Sequence, residues 1–276
     1  MTFRTSREVR LAYTLSGAGP AVALFHCAGT SGAQWRTTRT LIEPDHTVLI
    51  PDMIGFGRSD PWPGDALSLD EEAALLAELL EATTGPAHLV GHSFGATLAL
   101  RLALRHPALC RSLLLYEPIP FGMLRQAGEM ALYEEMAGIA RRFLALYEAG
   151  DPENGVKAFA TYWTGEEGWQ KLTPAARRSM VEGAAMLRLE FNAKEADTVR
   201  FEDHAAIGVP AKLVAGEASR PVSHHIARAL AAAIPGAELV RLAGDHMAPA
   251  TDPVPFAELL RAHLHRADHE PAGDAG

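Results

Sequence analysis

At 276 residues, 48% of them hydrophobic, the chain is long enough to bury one large core, which excludes disorder along its whole length. A net charge of -9, with no basic run longer than a pair, argues against nucleic acid or an anionic membrane surface as the main partner. A small molecule is the expected partner, and nothing in the composition asks for more than a monomer or homodimer.

The two cysteines, Cys27 and Cys110, have neither metal nor disulfide spacing, the N-terminus is charged from the start, and no apolar run approaches the roughly 20 residues needed to span a bilayer. These features predict a soluble, unexported, cytoplasmic protein.

In chain order, short β-rich runs fall at residues 9–14, 21–26, 47–51, 87–91, 112–116, 211–215 and 238–242. Most are continuously apolar, as strands covered on both faces are. Helical periodicity lies between them at 69–82, 94–105, 223–233 and 255–264. This alternation predicts an α/β fold with a mostly parallel sheet flanked by helices. From Pro118 to Ala206 the strand signal vanishes and helix-forming stretches take over at 124–149, 152–163 and 174–189. The expected organisation is a core of residues 1–117 and 207–265, a helical cap of residues 118–206, and a disordered tail of residues 266–276.

The stretch Gly91-His92-Ser93-Phe94-Gly95 is entered by an apolar run and left by a helical one. A serine at a strand-to-helix turn takes a strained backbone conformation, and glycines two residues to either side remove the side chains that would collide there. Its hydroxyl then projects above the sheet, and the following helix aims NH groups at the charge that develops in acyl transfer. Ser93 is therefore the candidate nucleophile. His246 lies in a glycine-containing loop after the last strand candidate and is the candidate base, since imidazole titrates near neutrality without tuning. The other histidines have weaker cases, and His263, His265 and His269 are expected on a solvated face. The small-residue loop at Ala28 can offer an NH to an oxyanion alongside the Phe94 NH. No metal or organic cofactor is required.

These features resemble the α/β-hydrolase superfamily, whose order is oxyanion loop, nucleophile elbow, helical cap, then a histidine near the C-terminus. The resemblance implies a helical cap inserted after the sixth strand. Asp52-Met53-Ile54-Gly55-Phe56-Gly57-Arg58-Ser59-Asp60 also looks like a loop of that family, in which Asp52 is read as a structural anchor. Members usually place the triad acid in the turn that here reads Gly216-Glu217-Ala218-Ser219, with serine where the carboxylate is expected. Glu117, after the strand that follows the nucleophile, is the favoured acid, a placement that resembles the haloalkane dehalogenase branch; Glu217 and Asp245 remain alternatives. Because those enzymes use an aspartate nucleophile, dehalogenation is disfavoured here.

Trp35, Trp163, Met123 and Met247, with Phe94, are candidates for the wall of a largely apolar pocket. Trp163 could equally glue the cap to the core. The reading is a serine hydrolase of an uncharged carbonyl substrate, an ester, lactone, thioester or carbon–carbon bond. The alternative, motivated by the absent aspartate, is a non-hydrolytic protein of the same fold, a ligand sensor or a biosynthetic cyclase or lyase.

Overall fold

The computed structural model describes residues 2–6 and 8–269. Its elements are β1 (Thr2–Ser6), β2 (Val9–Ser16), β3 (Ala21–Phe25), α1 (Arg36–Ile42), β4 (Thr47–Pro51), α2 (Leu69–Thr83), β5 (Ala87–His92), α3 (Phe94–Arg105) and β6 (Cys110–Tyr116). After β6 come α4 (Gly122–Gln126), α5 (Met130–Glu148), α6 (Pro152–Lys171), α7 (Pro174–Glu182) and α8 (Ala184–Ala196). The chain then continues through β7 (Ala211–Gly216), α9 (Pro221–Ala233), β8 (Glu238–Leu242), α10 (Ala248–Thr251) and α11 (Pro253–His269). Among the described residues no helix is long and apolar enough to cross a membrane.

The eight strands form one sheet in the order β1-β2-β4-β3-β5-β6-β7-β8, antiparallel at β1/β2 and β2/β4 and parallel elsewhere. The strand missed in the sequence is β1, a short run whose single large apolar residue is the exposed Phe3, held by pairing to β2. Counting it makes Cys110–Tyr116 the sixth strand; by the sequence candidates alone it was the fifth. The pleat divides the apolar runs between two layers. Val22, Leu24, Val90, Leu114 and Val214 face α1 and α11 with Ile42, Phe256 and Leu260. Ala23, Phe25, Leu89, Leu113, Leu115 and Leu213 face the other way, toward residues of α2, α3, α8 and α9. The edge strand β8 departs from the fully buried pattern, with exposed or half-exposed residues throughout.

Between β6 and β7 there are helices and no strand among the described residues. The helical stretch expected at 124–149 is divided at Gly128, which has φ +78°, and the one at 174–189 is divided at Gly183. Helix α6 runs on past Trp163 to Lys171, with a break at Gly165 (φ 69°, ψ 172°).

The C-terminal helix continues through His269, so the expected tail does not begin at Arg266. Its remaining part, 270–276, lies outside the described residues. Asp268 ties the end of α11 to the body of the fold, accepting from His88 Nε2 (3.1 Å), His46 Nε2 (3.3 Å) and Arg111 (3.1 Å). His263 is likewise not on a solvated face: it is buried and meets Ser112 Oγ at 2.9 Å.

Chain order reverses across the sheet between β3 and β5, since β4 lies on one side of β3 and β6 lies beyond β5. Loops leaving the carboxyl ends of such a strand pair diverge and open a crevice. Here the two loops are those carrying Ala28 and Ser93. One glycine lets them approach and another lets the Ser93 turn close on itself. A Cβ on Gly95 would stand 2.3 Å from the Phe25 carbonyl oxygen, and one on Gly91 would stand 2.5 Å from the Ala96 nitrogen. Gly95→Ala is therefore expected to destabilise the protein by about 1–3 kcal/mol in urea unfolding, the cost of overpacking against backbone that has no rotamer to yield. Unchanged stability would show that α3 is free to move away from β3.

Candidate active site

The carboxyl edge of the sheet presents, strand by strand, the Ala28 loop after β3, Ser93 after β5, Glu117 after β6, the Gly216–Ser219 turn after β7 and the His246 loop after β8. Ser93 N donates to Tyr116 O (2.8 Å) and Glu117 N to Val214 O (2.9 Å), so both residues leave their strands while still bonded to the neighbouring strand. Both then turn sharply, and they are two of three non-glycine residues with positive φ among those described: Ser93 at 55° and Glu117 at 46°. A side chain in that region is strained and is kept there only by its surroundings.

His246 starts from β8, separated from β5 by two strands, roughly 14 Å at about 4.8 Å per strand. Four hydrogen bonds bring its loop across. Glu217 N donates to Leu242 O (2.7 Å) and Ala218 N to Gly244 O (2.9 Å). The Tyr116 hydroxyl donates to Asp245 O (2.7 Å), and His92 Nε2 to His246 O (2.7 Å). With its Nε2 proton committed, His92 accepts at Nδ1 from Gln34 Nε2 (3.0 Å), whose Oε1 in turn accepts from Cys27 N (3.1 Å). Burial first, and then the nearby His246, pushes the His92 pKa down to about 3, so this relay stays neutral. It links the loop beside Ala28 to the loop of His246.

Delivered there, His246 is 4% exposed and touches both expected partners. Its Nδ1 lies 2.7 Å from Glu117 Oε2 and its Nε2 lies 3.0 Å from Ser93 Oγ. A carboxylate accepts only, so the imidazole proton sits on Nδ1 and the Ser93 hydroxyl donates to Nε2. Glu117 is fully buried, and its other oxygen accepts from Gly216 N (2.8 Å) and from the Ser219 hydroxyl. Burial pulls its pKa upward, but the hydrogen bond and charge of His246, with the Ser219 and Gly216 donors, outweigh it and hold the carboxyl at about 2 against an ordinary 4.5. Ser219, in the turn where sequence expects the acid, thus takes part as a donor to the relocated carboxylate. The two alternatives do not compete: Asp245 is exposed and accepts from Met247 N (2.9 Å), and Glu217 is exposed.

The Phe94 NH, at the first position of α3, and the Ala28 NH, in the loop after β3, donate to no acceptor among the described residues. Asp52 anchors the neighbouring loop, accepting from Gly32 N (2.8 Å) and Arg58 N (3.0 Å).

The expected wall residues separate. The Trp163 ring stacks on the His246 imidazole, 3.9 Å between centres and 21° between planes. Its neighbour Tyr162 fixes it there, donating to Glu135 (2.6 Å) and receiving Arg220 Nε at its carbonyl (2.7 Å). Met123 and Phe94 are buried in the same apolar layer as Ala28, and Met247 is half-buried beside His246. Trp35 is not in the wall. The short turn Gly32–Trp35 carries it into the layer beneath the sheet, fully buried 5.6 Å from the Phe256 ring, where a large aromatic buries most area. The sequence carries no signal for Gln34 or Tyr116, and marks Ser219 only as the residue standing where the acid is expected; all three act through contacts made across the sheet.

The fold and this edge arrangement define the class: the chain belongs to the family described as alpha/beta hydrolase fold, which its residues 20–253 match. Among relatives, it is 30% identical over 204 residues to a 2-hydroxymuconate semialdehyde hydrolase of Pseudomonas sp. strain CF600, covering 67% of this chain and 69% of that one. A solved hydrolase structure from Pseudomonas aeruginosa PA01 matches with a TM-score of 0.80 at 25% identity, over 95% of this chain and 97% of that one. An uncharacterized protein of Mycobacterium tuberculosis strain H37Rv is 33% identical over 119 residues, 42% of this chain, and the match spans only 34% of that protein's length. A hydrolase is the class these similarities support.

Ser93→Gly is expected to raise stability by about 1 kcal/mol in urea unfolding, because glycine occupies the turn without strain; a variant no more stable than the parent would mean the bend is relaxed. Glu117 makes a second expectation. Its folded pKa lies below its unfolded one, so its contribution to stability is complete above pH 4.5 and fades as the pH falls toward 2. The stability difference between the parent and Glu117→Gln, followed by thermal melts, is expected to shrink through that window, and a difference independent of pH there would contradict the assigned interaction.

Proposed function

We propose that this chain is a serine hydrolase acting on an uncharged, largely apolar carbonyl substrate, an ester before a lactone, thioester or carbon–carbon bond, through an acyl-enzyme on Ser93. The observation that carries the reading is the unbroken line Ser93 Oγ, His246, Glu117, with contacts of 3.0 and 2.7 Å. As Ser93 Oγ attacks the carbonyl carbon, its proton passes to His246 Nε2, and the buried Glu117 carboxylate stabilises the imidazolium that forms. The stacked Trp163 ring adds its π face to the same cation. The Ala28 and Phe94 NH groups hold the oxyanion, aided by the positive end of α3. His246 returns the proton to the leaving group, and water, activated by the same imidazole, releases the acid.

Helices α4–α8 we read as a cap over the site, with Trp163, Met123 and Met247 bounding the pocket. The non-hydrolytic alternative drew on the missing carboxylate, and Glu117 in contact with His246 removes that motive. Two tests follow. A fluorophosphonate probe is expected to label Ser93, and Ser93→Ala to abolish both labelling and p-nitrophenyl ester turnover. Glu117→Gln is expected to lower kcat roughly a thousandfold to ten-thousandfold, as loss of the orienting carboxylate does in comparable sites. Ser219→Ala, which removes one donor of Glu117, is expected to cost less than about tenfold. Undiminished turnover in Ser93→Ala would end the reading.

A further inference from the structure

Three ionisable side chains meet in the interior outside the triad: Glu72 of α2 and Glu190 and Lys194 of α8, exposed by only 2%, 1% and 5%. Both oxygens of Glu190 and Oε1 of Glu72 have no hydrogen-bond partner among the described residues. Lys194 Nζ stands 3.9 Å from Glu190 Oε2, outside hydrogen-bonding range, and rests on aromatic faces instead, 4.6 Å from the Phe94 ring centre and 5.1 Å from that of Phe191. Phe94 is the residue after Ser93. The Cys27 thiol, in the loop that carries Ala28, is pushed up to about 12 chiefly by burial, with a smaller push from Glu190.

A buried ion pair without hydrogen bonds is poor glue. Apolar side chains of similar volume are often at least as stabilising, and α8 already packs through Leu187, Leu189 and Phe191. Groups so placed, and unsatisfied, call for a partner. Burial pushes all three groups toward their neutral forms, so three orphaned carboxyl oxygens and one amine offer donors and acceptors and little net charge to hold an ion. A neutral group that both donates and accepts fits, and a hydroxyl is the smallest that does.

We propose that Glu190 and Lys194, backed by Glu72, form a polar subsite that holds a hydroxyl of the substrate away from its reacting carbonyl, so that hydroxylated esters are the preferred substrates. This deepens the serine hydrolase reading and rests on it. The subsite would fix one orientation of an otherwise apolar substrate over Ser93, since a site built for a hydroxyl rejects the analogue lacking it.

The test is a set of matched esters that differ by one hydroxyl, placed in turn along the acyl chain and on the alcohol. At one position the parent enzyme is expected to favour the hydroxylated ester by at least about tenfold in kcat/KM. The double variant Glu190→Leu, Lys194→Leu is expected to bring that ratio to about one while leaving kcat/KM for the plain ester within a few fold, a loss of discrimination that removal of merely structural contacts would not produce. Should the double variant not fold, Glu190→Gln is expected to reduce the ratio by itself. No preference at any position in the parent, or a preference that survives in the variants, overturns the subsite. If the parent hydrolyses no ester, it is the hydrolase reading that fails. Calorimetric binding of hydroxylated and plain acids to Ser93→Ala then still decides the subsite, with equal affinity for the two overturning it.

Discussion

The hydrogen bond between Ser93 and His246 joins residues from strands that are not neighbours, and the rest of the site is arranged around making it possible. An imidazole on a loop this far along the sheet edge would wander without anchors. Backbone bonds to the β7 turn, the Tyr116 hydroxyl and the His92 ring hold successive carbonyls of the loop as it passes over β7 and β6. Each bond is modest by itself, but together they remove the freedom that the histidine would otherwise lose at the moment of reaction.

The same crossing explains why the acid can come from β6. The imidazole passes the end of β6 on its way to β5, so a carboxylate leaving that strand reaches Nδ1. In this chain Glu117 takes the position by turning sharply at the strand end, and the β7 turn contributes Gly216 NH and the Ser219 hydroxyl to its other oxygen. The turn that lacks the carboxylate thus helps to hold it. Burial by itself would favour a neutral Glu117, and these donors with His246 keep it ionised.

Polar groups elsewhere in the interior follow the opposite course. His92 and His26 are buried, have depressed pKa values and serve as neutral connectors, His26 accepting from Met53 N at 2.9 Å. Glu190 is pushed up to about 8 by burial, with the charge of Lys194 pulling it back. One interior therefore contains a carboxylate that is fully satisfied and one that is not, and the contrast lies in hydrogen bonding, since both are fully out of water.

Much of this was legible along the chain. The apolar runs located seven of the eight strands, and Gly91, Ser93 and Gly95 marked the bend, because the spacing of small residues around a strained turn is a local requirement. Ser93, His246 and Glu117 could be singled out by type and by their place after strands, and the structure brings those three into contact. What sequence could not supply was relations across the sheet. Strand β1 exists through pairing with β2, Trp35 goes beneath the sheet rather than into the pocket, Asp268 belongs to the body of the fold rather than to a tail, and His263 is buried rather than on a solvated face. Composition and periodicity act over a few residues, so they determine which segments are strands, helices and turns. Which side chains from distant segments share a hydrogen bond is decided only when the strands take their order and bury their two faces.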